Sequence, residues 1–314
     1  MTVNICVAGI GANGLKHLEG IASIDGMHVA AVVDADVGKA EAVAARFGAA
    51  SVEPNLGLAL KRTDIDAVIL CTPTPLHATQ GLACLRAGKH VQIEIPIADN
   101  LADVEALLHE QKRSGLVGMA GHTRRFNPGH QWVRQRILAG ELSIQQMDVQ
   151  TYFMRRTNIN ALGEPRGWTD HLLWHHACHT VDLFQYQTSD VATRVNAMQG
   201  PVHPELGIAM DMSIQLKAES GALCTLSLSF NNDGPIGTVF RYICDNGTYL
   251  VNYDDLFDGV GNRIDVSGVA VSANGFELQD RAFLAAIESG VEPESSFERV
   301  MPAYVTLDRA EKLL

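Results

Sequence analysis

The sequence predicts an α/β protein: a Rossmann domain with a doubly wound parallel sheet, followed by an α+β domain with an open, mostly antiparallel sheet. Three observations carry that prediction. The hexapeptide Gly9-Ile10-Gly11-Ala12-Asn13-Gly14 follows the apolar run Ile5-Cys6-Val7-Ala8, and Asp34 closes the next apolar run. Apolar strands alternate with helical stretches through the first third of the chain, the pattern of parallel βαβ units. Beyond about residue 123 the apolar period drops to two, the mark of strands buried on one face.

The hexapeptide has a mechanical reading. Its first glycine permits a tight turn, its second lets the backbone approach a pyrophosphate, and its third lets helix and strand pack closely. Residues 15–24 form the helix leading out, whose N-terminus receives phosphate charge. Residues 29–33 form the second strand and deliver Asp34 twenty residues past Gly14. A carboxylate there accepts hydrogen bonds from the adenosine ribose hydroxyls and repels a 2′-phosphate. NAD is therefore the preferred cofactor and NADP the alternative. Asp36 adds a second negative charge, and the nearest base is Lys39.

Residues 38–47 carry alanines, Glu41 and Arg46 at helical spacing. Asp66-Ala67-Val68-Ile69-Leu70-Cys71 is a buried strand stopped by Thr72-Pro73-Thr74-Pro75, and residues 77–87 are a helix closed by Gly88. His90-Val91-Gln92-Ile93-Glu94 is a short strand cut by Pro96, followed by a helix over 101–114 and a strand over 116–120. In the second domain Ile208, Met210, Met212, Ile214 and Leu216 alternate with polar residues, as do Cys224, Leu226, Leu228 and Phe230. Further strands are expected at 145–153, 239–244, 248–252 and 264–271, and helices at about 170–187, 276–289 and 301–314. The expected division is 1–122 for the dinucleotide-binding domain and 123–314 for the substrate-binding domain, with the C-terminal helix free to pack back on the first.

Composition narrows the function. Hydrophobic residues make up 46% and charged residues 19% of 314, a globular balance that argues against disorder. A net charge of −12 disfavours nucleic acid or an anionic membrane as partner. The six cysteines at 6, 71, 84, 178, 224 and 244 are scattered, without a Cys-x-x-Cys pair, and lie mostly in apolar segments. Buried free thiols of a reducing compartment are expected. The chain enters directly into a strand and lacks a long apolar run, so a cytoplasmic protein with neither secretory signal nor membrane span is expected.

The densest cluster of ionisable residues runs from Asp170 to Asp182 and holds His171, His175, His176 and His179. On an α-helix His171, His175 and His179 would line one face. Such histidines can be partly buried and bonded to backbone or carboxylates, can clasp a metal, or can act as general acid/base beside a nicotinamide. Three ligands in a straight row cannot converge on one ion, so no metal is expected. Oxidising an alcohol carbon requires removing the hydroxyl proton, and that favours the acid/base reading. Seven of the seventeen arginines fall between Arg124 and Arg166. The doublets Arg124-Arg125 and Arg155-Arg156 follow strands and suit bidentate grip on carboxylates, as does Arg166 just before the histidines. A small polyanion is the expected substrate.

These motifs resemble those of the glucose-fructose oxidoreductase/inositol dehydrogenase (Gfo/Idh/MocA) family over essentially the whole chain. The matching segments are Gly9 to Gly14, Cys71-Thr72-Pro73-Thr74-Pro75-Leu76-His77, Ala87-Gly88-Lys89-His90-Val91, Glu94-Ile95-Pro96, Arg125-Phe126-Asn127-Pro128 and His179-Thr180-Val181-Asp182. The resemblance implies that Gly9, Ile10, Gly11, Ala12, Asn13, Gly14, Asp34, Thr72, Pro73, His77, Glu94 and Pro96 serve the cofactor. It makes His179 the general base, with His175 or His176 positioning it or the substrate. A homodimer is also implied.

Two departures stand out. The family's Glu-Lys-Pro lysine is Ile95 here, and its aspartate four residues before the catalytic histidine is His175. Glu94-Ile95-Pro96, the Gly121 to Pro128 segment and the Trp168 to His176 segment instead resemble a narrower branch. Its members oxidise the cyclic hemiacetal of a dicarboxylated semialdehyde. On that resemblance Arg124, Arg125, Arg155, Arg156 and His122 are substrate-binding candidates for a small dicarboxylate, and a hemiacetal hydroxyl's acidity accounts for the missing lysine.

Overall fold

A computed structural model describes all of the chain except residues 1, 160–162 and 164. It divides into two compact units, Met1–Thr123 with Asn274–Met301, and Arg124–Ala273 with Pro302–Leu314.

The first unit begins as the apolar periodicity predicts, with β1 (Val3–Ala8), α1 (Ala12–Ile21), β2 (Met27–Val33), α2 (Val37–Phe47), β3 (Val52–Glu53) and the single turn α3 (Leu56–Ala59). It continues with β4 (Ala67–Leu70), α4 (His77–Arg86), β5 (His90–Ile93), α5 (Leu101–Ser114) and β6 (Gly118–Ala120). The six strands pair in the order β3-β2-β1-β4-β5-β6, all parallel. This is a doubly wound sheet, with ligand-binding loops at the carboxyl ends of the strands. Val7, Ala31, Val32, Val68, Ile69 and Val91 are fully inaccessible to solvent, which is why these strands read as unbroken apolar runs. Helix starts are set by side-chain caps: Asp36 accepts from the Lys39 N–H for α2, and Asn100 from the Asp103 N–H for α5.

The second unit opens with α6 (Pro128–Leu138) and β7 (Ile144–Tyr152), and a π-helical turn over Leu172–Ala177 leads into α7 (Cys178–Thr188). Then come β8 (Ala192–Gln199), β9 (Asp211–Ala218), β10 (Leu223–Ser229), β11 (Gly237–Cys244), β12 (Gly247–Asn252), β13 (Asp255–Asp258) and β14 (Arg263–Ile264). The eight-stranded sheet has the order β14-β13-β12-β11-β7-β10-β9-β8. Its β7–β10 pair is parallel and the remaining pairs are antiparallel. Period two has its expected consequence: Met147, Val149, Met212, Ile214, Leu226, Leu228, Phe240 and Tyr242 all point to one buried face.

Helix α8 (Gly275–Ser289) and the start of α9 (Phe297–Glu311) group with the first unit. A contiguous second domain from 123 to 314 therefore misses a returning segment. The reason is packing against α1, where Gly20 lacks the side chain that would sit 3.1 Å from the Glu277 backbone. Two other expectations are corrected, and one helix is added. The strand expected at 264–271 ends at Ile264, because the Asp265 carboxylate accepts from the Ser267 N–H and turns the chain. The histidine helix starts as a π turn rather than an α-helix at 170. Helix α6, whose sequence is rich in arginine and glutamine, was not signalled by periodicity; it is started by Pro128 and buries Trp132 and Val133.

Candidate functional site

In the first unit, the turn between β1 and α1 has the shape a dinucleotide needs. Gly9 has φ +87°, and its N–H bonds the Val33 carbonyl at 2.8 Å. A side chain on Gly9 would lie 2.5 Å from the Cys71 carbonyl oxygen, and one on Gly14 would lie 2.0 Å from the Gly9 carbonyl oxygen. A side chain on Gly11 would meet nothing within 4 Å. The first and third glycines are thus required by the protein itself, while the second faces open space where a phosphate can approach. Gly11 caps α1 without a side-chain hydrogen bond, leaving first-turn N–H groups for an anion. These residues fit a dinucleotide.

The neighbouring loops are tied to that turn. Asp34 accepts from the Ile10 N–H at 3.1 Å and from the Asp36 N–H at 3.0 Å, which holds its carboxylate at the end of β2. Asp36 spends its own carboxylate on capping α2. Beyond β4, Thr72 donates to Gln80 at 2.5 Å, and Pro73 begins a short 3-10 turn. His77 is buried, and its ring nitrogens lie 2.8 Å from the Pro96 carbonyl and 2.7 Å from the Thr72 carbonyl. Each nitrogen faces a backbone carbonyl, and the neutral ring donates to one of them, so His77 lies between the loops after β4 and β5. Burial pushes its pKa down. Glu94 accepts from Asn13 Nδ2 at 2.9 Å, joining the loop after β5 to the glycine turn. His122, fully buried, follows β6 and donates its N–H to the Ala120 carbonyl.

In the second unit, the histidines do not form a straight helical row. His171 has extended backbone, with φ −119° and ψ 163°, and stands before the π turn. Its N–H donates to His175 Nδ1 at 3.1 Å, and the two rings meet edge to face at 4.9 Å. Trp168 stacks on the other side of His175 at 5.4 Å. His179 sits in the first turn of α7, half-buried.

Asp170 organises the positive charge. Its carboxylate receives Arg155, Arg166 at 2.5 Å and His176 Nε2 at 3.1 Å. Burial opposes ionisation there, but hydrogen bonds from His176 and Arg155 hold the Asp170 carboxyl well below the usual range. Arg155 also covers the Phe230 ring at 4.3 Å, and the His176 ring meets the same ring edge-on at 5.0 Å. Two guanidiniums on one carboxylate leave an excess positive charge beside the histidines.

The arginine doublets divide. Arg125 is buried with Asp182 through two hydrogen bonds of 2.8 and 2.6 Å, and Arg155 is held by Asp170. Arg156, exposed, bonds only the Arg155 and Phe230 carbonyls and Asn231 among the described residues. Arg124 is largely desolvated, which pushes its pKa down, and lies 5.9 Å from the Phe240 ring. It makes no hydrogen bond to another described residue. Arg124 and Arg156 are thus the members of the doublets that meet no carboxylate by a direct contact among the described residues.

Sequence reasoning named the histidines and arginines but not Asp170 as their organiser. The signal was present: Asp170 opens the histidine-rich segment four residues after Arg166. Asn158, which ties the Trp168 carbonyl and Thr169 hydroxyl at 3.0 Å each, carried no signal at all. Among the described residues, no group of three or more His, Cys, Asp or Glu is arranged to hold a metal ion. All six cysteines are free, and burial pushes the Cys6 thiol up to about 12 and the Cys244 thiol to about 11.

Comparison with known proteins agrees with this geometry. Residues 3–122 match the model of the oxidoreductase family with an NAD-binding Rossmann fold (GFO_IDH_MocA), and residues 128–270 match that of bacterial oxidoreductase C-terminal domains. The chain is 60% identical over 309 residues to the 4-carboxy-2-hydroxymuconate-6-semialdehyde dehydrogenase of a Sphingobium species, covering 98% of each chain. It is 27% identical to an inositol 2-dehydrogenase of Mycolicibacterium smegmatis, over 80% of this chain and 72% of that one. The fold matches that of a levoglucosan dehydrogenase solved with NADH and levoglucosan, with a TM-score of 0.87 at 18% identity, covering 100% of this chain and 97% of that one.

Proposed function

This chain belongs to the Gfo/Idh/MocA oxidoreductase family, and from that premise we propose that it is a nicotinamide-dependent dehydrogenase of 4-carboxy-2-hydroxymuconate-6-semialdehyde. It oxidises the cyclic hemiacetal of that compound to 2-pyrone-4,6-dicarboxylate. The observation that carries this reading is the 60% identity over nearly the full length of both chains. The chemistry of the second unit supports it: a dianionic substrate suits the excess positive charge around Arg155, Arg166 and Arg124, and a hemiacetal hydroxyl suits a histidine base.

A nicotinamide dinucleotide held by the Gly9–Gly14 turn and Asp34 would supply the hydride acceptor for the hemiacetal carbon. His179 takes the hydroxyl proton as the carbon–oxygen single bond becomes the lactone carbonyl. His175 and His176, held by the His171 backbone and by Asp170, keep the reacting edge oriented. Arg124 and Arg156 hold the carboxylates. Ile95 in place of the family's lysine is tolerated because a hemiacetal hydroxyl is more acidic than a sugar alcohol. On the same reading the protein is cytoplasmic and, as the family resemblance implies, a homodimer. Among the described residues no helix is long and apolar enough to cross a membrane.

The test of function is direct. Purified protein supplied with the semialdehyde, freshly made by 4,5-cleavage of protocatechuate, and NAD should yield reduced cofactor and the pyrone in equal amounts. Absence of the pyrone under these conditions overturns the assignment. Arg124→Ala should weaken substrate binding about ten- to a hundredfold, the worth of a hydrogen bond between charged groups, and unchanged KM and kcat/KM would remove Arg124 from the site.

Cofactor preference follows from Asp34. Its carboxylate is fixed by two backbone N–H groups and keeps acceptor capacity for ribose hydroxyls, while a 2′-phosphate would meet like charge. NAD is therefore expected to give the higher kcat/KM. Joint Asp34→Gly and Ala35→Arg substitution should move preference towards NADP. A native enzyme clearly faster with NADP would contradict this role for Asp34.

A further inference from the structure

A second group of ionisable side chains, centred on His17, lies in the first unit and joins the glycine turn through Glu94 and Asn13. His17, on α1, is fully inaccessible to solvent. Its Nδ1 lies 2.8 and 3.0 Å from the two oxygens of Asp280 on α8. Its Nε2 lies 3.2 Å from Glu94 Oε1 after β5. Gln92 Nε2 donates to the same Asp280 at 2.9 Å, and Asn13 Nδ2 donates to the other oxygen of Glu94 at 2.9 Å. The Phe276 ring lies 5.1 Å from the imidazole, and the thiol of half-buried Cys71 completes the ring of neighbours. Lys16 stands over Phe276 at 5.0 Å.

An imidazole that faces an ionised carboxylate with each nitrogen satisfies both only when both nitrogens carry protons; burial pushes the Asp280 carboxyl up, and the His17 charge opposes that shift. We propose that His17 is a positioning residue for the dinucleotide site, a buried imidazolium that holds Glu94, and through Glu94 the Asn13 amide, in the arrangement the cofactor meets. The relay runs Asp280–His17–Glu94–Asn13, from a helix near the end of the sequence into the phosphate-binding turn. Asp280 is its anchor, because Gln92 and His17 together fix the carboxylate from two sides. Glu94 spends one acceptor position of each oxygen on the relay and keeps others for a hydroxyl donor of the dinucleotide. Two carboxylates around one cation leave the pocket with a net negative charge, so removing His17 would leave Asp280 and Glu94 facing each other unscreened in a desolvated site. Burial works against the charged imidazole, but the Asp280 carboxylate more than offsets it and holds His17 well above the usual histidine range. Cys71, its own ionisation pushed up by burial, adds no negative charge at working pH.

The inference rests on dinucleotide binding by this unit and not on the choice of substrate, so its test uses cofactor alone. In protein carrying ¹⁵N-labelled histidine, one imidazole should keep both nitrogens protonated from pH 6 to 9, and that signal should vanish in His17→Gln. A His17 that titrates with the exposed histidines overturns the proposal, and the native spectrum suffices if the variant does not fold. NADH binding, followed by fluorescence, gives the second readout. His17→Gln and Glu94→Gln should each weaken it about tenfold, and the double variant by little more, because both break one coupled unit. Asp280→Asn should give the same loss of NADH affinity. Losses that multiply in the double variant, or native affinity in His17→Gln, show that His17 serves only the packing of α1 on α8.

Discussion

Replacing His179 with alanine is expected to lower kcat by about 10²–10⁴-fold, the usual worth of a positioned general base, while NADH affinity stays close to native. Three other histidines crowd the same segment, and two of them have a ring nitrogen committed to a neighbour. His176 commits Nε2 to Asp170, and His175 commits Nδ1 to the His171 backbone. A group so held can orient a substrate but gives up the freedom to cycle a proton at that atom. His179, in the first turn of α7 and only half-buried, is placed by a regular helix beyond the π turn. Steady-state rates from pH 6 to 9 check the assignment. Near-native kcat in His179→Ala would move the base to His175 or His176, and removing both would then be required to abolish turnover.

Asp182→Ala should destabilise the fold by about 3–5 kcal/mol, the cost of leaving one member of a buried ion pair without its partner. The Arg125 and Asp182 side chains are 5% and 1% exposed and meet through paired hydrogen bonds, with the Tyr186 ring 4.6 Å from the guanidinium. Removing the carboxylate strands a guanidinium in that environment. Urea unfolding at constant slope would measure the loss, and a change below about 1 kcal/mol would mean that water reaches Arg125 once Asp182 is gone. This expectation also explains the Arg-Phe-Asn-Pro segment in physical terms. Arg125 locks the entry to α6 onto α7, the helix that carries His179, so a stability defect and a rate defect should appear together in Asp182→Ala. Arg124→Ala, one residue away, should show only the affinity defect.

The arginine doublets show how far reading a sequence reaches. Charge next to strand ends suggests a grip on substrate carboxylates, but the carboxylates that Arg125 and Arg155 meet belong to the protein, at Asp182 and Asp170. Ion pairing across 57 and 15 residues leaves no periodic trace, because it depends on where two elements meet rather than on spacing along either. The π turn likewise hides from an α-helical wheel, since the wheel assumes the hydrogen-bond pattern that the turn breaks.

What the sequence by itself determined is local and periodic. The βαβ unit with its glycine turn, the change from continuous to alternating apolar strands, and the acid after β2 follow from sterics and burial acting over a few residues. Family membership followed from the same short motifs. The tertiary structure alone decided which charges are spent and which remain. It brought α8 back onto α1, set Asp280 and Glu94 on either side of His17, gave Asp170 two guanidiniums and a histidine, and left Arg124 desolvated with no described carboxylate in contact. Burial and pairing of charge depend on distances through space between residues far apart in the chain, and in a desolvated interior those distances set each group's charge state.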